Sequence, residues 1–245
     1  MSEESVRAHF TARAERYDRS STWCTNDELG ELVLRVTEPG AEDHVLDVAC
    51  GTGLVSRLFV GKVARIVGAD ITRAMYEQAA PYLDELLVCP GEELAVPDDA
   101  YDIVVCRQGI QFMDDGKTVA EMVRAVKPGG RVCLIHLCAY GDEDKDTYFD
   151  ILRLRNPVRR NFYLREELVA LLRDAGCKEV SLHEHVSVED VDTWSDNQAI
   201  PESNREAIRE LYRNASSAFR DLHSVELNDG RFVDHMLFGV AVGVK

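Results

Sequence analysis

The chain has 245 residues, of which 45% are hydrophobic and 29% charged, as is ordinary for a globular protein. Its 28 basic residues against 44 acidic ones give a formal net charge of −16, which disfavours binding to the phosphates of nucleic acid. No apolar run reaches the ~20 residues that cross a bilayer, and the 7 cysteines lack metal-ligand spacing. We therefore expect a cytoplasmic protein with no metal site, no membrane insertion and no nucleic-acid partner.

The predicted elements alternate regularly along the chain. Apolar spacing predicts a helix from Ser5 to Tyr17, and the pattern from Thr25 to Glu28 resembles a capping box that begins a second helix. Strands follow near 44–49, 65–70, 85–89, 101–106 and 131–137, with helices near 53–60, 72–80 and 115–126. A helix at 165–175, a strand near 178–186 and a closing strand from Phe232 to Val244 come last. This order predicts an α/β protein with a parallel sheet.

The first strand ends in a carboxylate and a glycine turn, Leu46-Asp47-Val48-Ala49-Cys50-Gly51-Thr52-Gly53. An apolar strand that leads through glycines into a helix is a common place for a nucleotide-like cofactor to meet the backbone. Asp47 would repel a dinucleotide pyrophosphate, and Ser56 stands where a dinucleotide motif has its third glycine. A cofactor that carries an ammonium and no phosphate, as S-adenosylmethionine does, suits this carboxylate.

A second carboxylate, Asp70, ends the next apolar run about twenty residues further on. At the tip of a neighbouring parallel strand it would accept hydrogen bonds from two ribose hydroxyls, although it could also cap the helix that begins near Thr72. Ile71 and Met75 follow at helical spacing and would form an apolar wall for adenine.

These segments resemble the class I S-adenosylmethionine-dependent methyltransferases, the ubiquinone/menaquinone-biosynthesis type in particular. The resemblance runs from about Tyr17 to Cys177 and also includes Gly91-Glu92 before the fourth strand and Lys127-Pro128-Gly129-Gly130 before the fifth. It implies a Rossmann-like, doubly wound, seven-stranded, mostly parallel sheet whose last strand is antiparallel. It implies S-adenosyl-L-methionine as cofactor, held by Tyr17, Asp47, Ala49, Gly51, Thr52, Gly53, Asp70, Ile71, Met75, Gly91, Glu92, Glu93 and Arg107.

Within that set, the resemblance assigns particular contacts to the later motifs. Glu92 would accept a hydrogen bond from the adenine amino group, and the backbone N–H of Glu93 would meet a ring nitrogen. Glu93 departs from the family, which more often has a small residue there, and its side chain is expected to face solvent. Arg107 would hold a carboxylate of cofactor or acceptor, or else pack near Asp102 or another acid. Tyr17 would cover the cofactor or merely anchor its helix.

Candidates for chemistry lie near the ends of the later strands. His136 ends the fifth strand and is the predicted general base, because an imidazole titrates in the useful range. His183 and His185 share one face of the next strand, and Asp234 and His235 open the closing strand, so these are weaker candidates. Two further features could contact an anionic acceptor, Trp194 and the pair Arg159-Arg160, although a surface role for the pair is equally consistent.

The sequence favours one domain over residues 1–245, divided into N-terminal helices (1–40), a cofactor-binding core (41–186), a helical lid insertion (187–231) and a closing strand (232–245). The predicted function is methyl transfer to a carbon or oxygen atom of a small organic molecule, a quinone, phenol or natural-product-like acceptor. The alternative is a non-catalytic or repurposed S-adenosylmethionine-binding protein of the same fold. A homodimer is left open.

Overall fold

The computed structural model describes residues 3–19 and 22–245, which form ten α-helices and eight β-strands. The strands are β1 His44–Val48, β2 Arg65–Ala69, β3 Glu85–Leu87, β4 Tyr101–Arg107, β5 Val126–Leu137, β6 Glu179–Asp190, β7 Glu226–Asn228 and β8 Arg231–Val244. The helices are α1 Glu3–Arg13, α2 Asp27–Thr37, α3 Ser56–Phe59, α4 Arg73–Ala79, α5 Asp115–Ala125, α6 Lys145–Arg155, α7 Arg165–Asp174, α8 Val191–Ser195, α9 Glu202–Arg213 and α10 Ser217–Leu222.

The strands form one sheet in the order β3-β2-β1-β4-β5-β8-β6, with β7 paired to β8 as a short hairpin. The pairs among β1 to β5 are parallel, whereas β8 runs antiparallel to both of its long neighbours, β5 and β6. The predicted fold class is therefore confirmed. Strand β7 is an addition that the sequence did not indicate, because its three residues are all exposed and show no alternation.

Apolar side chains fill both faces of the sheet, as expected for parallel strands covered by helices on each side. Val45 and Val105 face one cluster, which takes in α2, α6 and the helices α8 to α10. Leu46 and Val104 face the other, which takes in α5 and α7. The period of two along each strand sends neighbouring residues to opposite faces, so both faces of β1 are buried. This packing fixes the carboxyl ends of β1, β2 and β4 side by side.

The second helix begins one residue later than the capping-box pattern indicated. Asn26 caps α2, since its side chain accepts a hydrogen bond of 2.9 Å from the Leu29 backbone N–H. Asparagine is as good an N-cap as serine or threonine, and it takes the position here. No helix in the described part of the chain is long and apolar enough to cross a membrane.

Candidate active site

A cavity of about 540 Å³ lies beyond the carboxyl ends of β1 to β4, where ligands of open α/β sheets bind. All of the predicted cofactor residues except Gly53 line it. The helix α1 and the segment after it cover the cavity from above with Val6, Phe10 and Tyr17. The structure thus brings together residues that are separated by about ninety positions, from Tyr17 to Arg107.

The glycine turn after β1 has the backbone conformation that its sequence suggested. Gly51 and Gly53 have φ values of 53° and 80°, in the left-handed region that glycine adopts without strain. A Cβ at Gly53 would lie 2.9 Å from the Tyr82 ring and 3.1 Å from the Ala79 Cα. Gly53 is not among the residues that line the cavity, and its missing side chain lets Ala79 of α4 approach the turn.

Asp47 is 2% exposed and accepts two hydrogen bonds on Oδ2, from the Ser56 backbone N–H at 3.1 Å and from the Ser56 hydroxyl at 2.7 Å. It lies in the middle of the sheet, paired with Gly68 of β2 and Val105 of β4. Burial raises the pKa of this carboxyl to about 7, although the bonds from Ser56 pull it the other way. A cation in the cavity would favour the ionised form of Asp47.

Asp70 follows β2 and ties two backbone segments together. Its Oδ2 accepts a hydrogen bond of 2.9 Å from the Gly51 N–H, and its Oδ1 accepts one of 2.7 Å from the Thr72 N–H. Burial raises the pKa of this carboxyl, against the effect of both N–H groups. The Thr72 side chain adds a third hydrogen bond, and a carboxylate has about four acceptor positions, so Asp70 can cap the turn at Thr72 and still accept from a ligand in the cavity.

Glu92 and Glu93 occupy different environments. The Glu92 carboxylate lines the cavity and accepts a hydrogen bond of 2.9 Å on Oε1 from the Asp114 N–H. This bond orients the carboxylate and so determines where its other oxygen, Oε2, lies. The Glu93 side chain is exposed, as expected. Its backbone N–H donates to the Pro90 carbonyl at 3.2 Å, so in this conformation that group already has an acceptor other than an adenine nitrogen.

Arg107 ends β4 at the floor of the cavity, and Tyr17 lies in the cover. Burial lowers the pKa of the Arg107 guanidinium and raises the pKa of the Tyr17 phenol. Asp102, which could have held Arg107 in a packing role, is bound by the Lys127 ammonium at 2.8 Å. The Phe10 ring meets the Phe112 ring edge-on, with centroids 4.9 Å apart, and closes the cavity on its apolar side.

Comparison with known proteins agrees with this geometry. A family profile described as Methyltransferase domain matches residues 46–134, from β1 into β5. The chain is 28% identical over 247 residues to the uncharacterized methyltransferase YcgJ of Bacillus subtilis, across 96% of this chain and 97% of that protein. The crystal structure of YcgJ superposes with a TM-score of 0.82 at 24% identity, covering 90% of this chain and 99% of that one.

The matched domain and the names of the relatives indicate an S-adenosylmethionine-dependent methyltransferase, and the fold is the one that YcgJ has. Two relatives with assigned acceptors match a smaller part of the chain. The demethylmenaquinone methyltransferase of Symbiobacterium thermophilum is 33% identical over 150 residues, 54% of this chain and 59% of that protein. The malonyl-[acyl-carrier protein] O-methyltransferase of Hahella chejuensis is 29% identical over 134 residues, 52% of this chain and 47% of that protein. This methyltransferase spans about half the length of these two relatives.

In this methyltransferase, His136 lies outside the cavity. It is fully buried in β5, its ring packs against the Tyr163 ring at a centroid distance of 5.6 Å, and neither ring nitrogen has a partner among the described residues. Burial, together with the nearby Arg159, holds the pKa of His136 well below its usual value. A base must reach the acceptor proton, and this placement argues against the predicted role.

The weaker catalytic candidates also lie elsewhere in the methyltransferase. Asp234 is buried against His223 and Tyr212, and His183, His185 and His235 line no part of the cavity. Trp194, which was expected to contact the acceptor, is fully buried and does not line this cavity. No cavity-lining residue in the described ranges comes from 187–231, the expected lid insertion. Its helices pack through Ile208, Tyr212 and Phe219 into the apolar cluster shared with α6.

The N-terminal helices were expected to form part of the lid over the acceptor, and α1 supplies lining residues that the sequence reasoning did not name. Val6 and Phe10 lie one helical turn apart and face the cavity, and Glu3 lies at its rim. The helical spacing of these apolar residues was visible, but a helix that covers a sheet and one that covers a ligand share the same pattern. Arg160, the outer member of the basic pair, does line the cavity, whereas Arg159 is buried behind it.

Proposed function

We propose that this methyltransferase binds S-adenosyl-L-methionine in the 540 Å³ cavity and transfers its methyl group to a carbon or oxygen atom of a small organic molecule. The observation that carries the proposal is the placement of Asp47, the glycine turn and Asp70 along one wall of that cavity. A single domain comprising all 245 residues, acting in small-molecule biosynthesis in the cytoplasm, is part of the proposal.

The charges of the cavity suit a cationic cofactor. Its described lining includes six carboxylates, Glu3, Asp47, Asp70, Glu92, Glu93 and Asp114, against three cations, Arg107, Lys117 and Arg160. S-adenosylmethionine carries a sulfonium, an ammonium and one carboxylate, so its net charge is positive. A dinucleotide would bring two phosphates to the same wall and meet Asp47 and Asp70 in a repulsive arrangement.

Residues that line the cavity are candidates for most of the predicted contacts. When bound, S-adenosylmethionine supplies a methyl group on a positively charged sulfur. Asp47 would face the ammonium, Asp70 the ribose hydroxyls and the free oxygen of Glu92 the adenine amino group. Ile71 and Met75 would pack against the adenine ring, and Arg107 would pair with the cofactor's carboxylate.

The rest of the cavity is suited to the acceptor. Phe10, Phe112 and Met113 offer apolar and aromatic surface beside the polar cofactor wall, which favours a flat organic acceptor such as a phenol or quinone. The name of the demethylmenaquinone methyltransferase supports a quinone-like acceptor, and the name of the malonyl-[acyl-carrier protein] O-methyltransferase supports an oxygen acceptor.

Positioning carries most of the catalysis in this proposal. Methyl transfer from sulfur is an in-line displacement, and holding the two reactants in line at close approach supplies much of the rate. The cover formed by α1 and Tyr17 would exclude water and restrict the acceptor's approach to one direction. No histidine occurs in the described lining of the cavity, so the acceptor must reach its nucleophilic form without an imidazole.

Titration calorimetry with S-adenosylmethionine, S-adenosylhomocysteine and NADH tests the cofactor. We expect micromolar binding of the two sulfur compounds and none of NADH. Incubation with methyl-labelled cofactor and a panel of phenols, quinols and organic acids then tests transfer. Binding without transfer to any acceptor would favour the repurposed alternative, and binding of NADH alone would contradict the proposal.

A further inference from the structure

A second, smaller cavity of about 20 Å³ lies behind the first and is enclosed by α1, the segment after β4, α6 and α8. The two cavities share four lining residues, Phe10, Tyr17, Gln108 and Phe112. This volume exceeds the ~10–15 Å³ that one water needs, so the space is large enough for a small polar group. Its position next to the acceptor region of the main cavity makes it reachable by part of a bound acceptor.

The polar atoms around this small cavity are mostly donors without acceptors. Six of its lining residues carry a buried side-chain atom that has no hydrogen-bond partner within the described ranges. Five are donors, Arg13 Nε, Gln108 Nε2, Arg155 Nη2, Arg159 Nη2 and Trp194 Nε1, and one is an acceptor, Gln111 Oε1. Buried polar groups are normally satisfied, and this imbalance indicates a missing acceptor with several lone pairs.

The charge of the small cavity points in the same direction. Arg13, Arg155 and Arg159 are each at most 4% exposed. Their printed hydrogen bonds go to neutral oxygens: Asn156 Oδ1, the Trp194 carbonyl and the Asn161 carbonyl. No carboxylate in the described residues forms an ion pair with any of the three. Aromatic faces compensate in part, since the Arg155 guanidinium lies 4.5 Å from the Trp194 ring centroid.

The neighbouring groups respond to this positive field. Burial and the adjacent Arg13 lower the pKa of His9 to about 4, so His9 adds no charge at neutral pH. Burial also lowers the pKa of Arg155 to about 9 and that of Arg159 to about 10. Buried guanidiniums are costly unless an anion pairs with them, and a bound anion would supply that pairing.

We propose that the small cavity binds a carboxylate carried by the acceptor, so that the substrate of this methyltransferase is an organic acid methylated at a different atom. This inference rests on the proposed function, because it assigns the acceptor of the same site. A planar carboxylate matches the fork of a guanidinium through two parallel hydrogen bonds. The 20 Å³ space suits such a group, with the remainder of the acceptor lying in the main cavity toward Phe10 and Phe112.

Matched acids and amides test the proposal by calorimetry on protein saturated with S-adenosylhomocysteine. The probes are formate and acetate against formamide and acetamide, and 4-hydroxybenzoate against 4-hydroxybenzamide. We expect the acids to bind at least tenfold more tightly than the amides. Equal binding within each pair, or no binding by any acid, would overturn the proposal while leaving the cofactor titration intact.

Two buried arginine variants, Arg155→Met and Arg159→Met, should each reduce the acid-over-amide preference at least tenfold. Arg153→Met is the control, because Arg153 lies on the same helix as Arg155, is 56% exposed and pairs with Asp150. Unchanged affinity for S-adenosylhomocysteine in each variant shows that the protein is folded. Should a methionine variant fail to fold, Arg159→Lys is the substitute, because it keeps the positive charge and removes the planar guanidinium. This variant should still lose the preference for acids over amides. Retained preference in all folded variants of Arg155 and Arg159 would contradict the assignment.

The carboxylate could instead be the cofactor's own, and the same titration separates the two sources. Acids that bind only when S-adenosylhomocysteine is absent compete with the cofactor, and this result would overturn the assignment to the acceptor. Acids that bind with the cofactor site filled support it. Mass analysis of a methylated product gives the last criterion: a free carboxyl group is expected, and a methyl ester would contradict the proposal.

Discussion

Thr52 of the glycine turn donates a hydrogen bond of 2.5 Å to the carboxylate of Asp18, at the end of the N-terminal segment. The bond joins the floor of the cavity to its cover. A second link lies nearby, from the Gln78 side chain to the Ala14 carbonyl. Both links hold the segment after α1 against the glycine turn and α4, so closure of the cover and the conformation of the turn are coupled.

Replacing Thr52 with valine removes the first link and keeps the side-chain shape. We expect cofactor affinity to fall by about 1 kcal/mol, the scale of one hydrogen bond, mostly through faster dissociation from a looser cover. Stopped-flow dissociation of S-adenosylhomocysteine measures this change. Thr37→Val is the control, since the buried Thr37 hydroxyl donates to the Val33 carbonyl on α2, away from the cavity. Equal dissociation rates for both variants would show that the link does not govern the cover.

Asp70→Asn tests the ribose contact. The amide keeps an acceptor for one backbone N–H but removes the charge, so we expect cofactor binding to weaken by about 1–3 kcal/mol. Asp84→Asn is a matched control, because Asp84 also accepts a backbone hydrogen bond, 2.7 Å from the Ile66 N–H, at the opposite end of β2. Calorimetry on both variants should show a loss for Asp70 alone. Full affinity in Asp70→Asn would remove this carboxylate from the site.

His223 should make the stability of the fold depend on pH. It is fully buried between Asp144 and Asp234, at 2.9 Å from its Nε2 and 2.8 Å from its Nδ1, and the two carboxylates raise its pKa from 6.5 to about 9. A raised pKa stabilises the folded state fully below pH 6.5 and loses that contribution as the pH rises through 9. We expect the free energy of unfolding to fall by about 3 kcal/mol over this range.

Urea unfolding at intervals from pH 6 to pH 10 measures this slope, with His223→Gln as the comparison. The variant should be less stable near neutral pH and should show a flatter profile between 6.5 and 9. Asp144 affects stability at acidic pH. Its pKa is lowered, and the hydrogen bond from His223 is the main cause that lowers it. The contribution of Asp144 to the free energy of unfolding is therefore lost on acidification below about pH 4. A wild-type profile as flat as that of the variant would mean that the imidazole is neutral.

His136 should remain neutral at every pH where the enzyme works. Burial holds its pKa well below the usual 6.5, and NMR of the imidazole nitrogens should show a ring that is still uncharged at pH 6.5, where a free imidazole is half protonated. His136→Phe should leave cofactor affinity unchanged and turnover within a few-fold of wild type. A loss of about 100-fold in turnover with intact cofactor binding would restore the general-base interpretation.

The cofactor wall was predictable because its residues are local in sequence. The strand, glycine turn and helix around Asp47, and the next strand ending at Asp70, form one β-α-β unit whose geometry the chain alone determines. The packing role of Gly53 could not be predicted, because the sequence does not distinguish a glycine that contacts a ligand from one that contacts a neighbouring helix. Only the position of Ala79 and Tyr82 decides between the two.

The small cavity was not predictable, because its donors come from distant parts of the chain. Arg13, Arg155 and Trp194 meet only when α1, α6 and α8 pack together. A basic pair at Arg159-Arg160 was visible. No pattern in the sequence indicates that Arg159 is buried while Arg160 lines the cavity. The burial of His136 was not predictable either. Alternation along β5 identifies the residues that share a face of the sheet with His136, but it does not show whether that face contacts a ligand.

The position of β8 in the sheet has a consequence for how the protein is made. Strands β5 and β6 are joined through β8, and among the described strands β8 is the only partner of β6. The ribosome makes β8 after every other described strand, so the edge of β5 stays without this partner from the synthesis of β5 until that of β8. An unpaired strand edge can pair with other chains. The pairing of β5 with β8 joins segments that are distant in sequence, and such contacts form slowly. We therefore expect the nascent chain to need chaperone protection until residues 231–244 leave the exit tunnel.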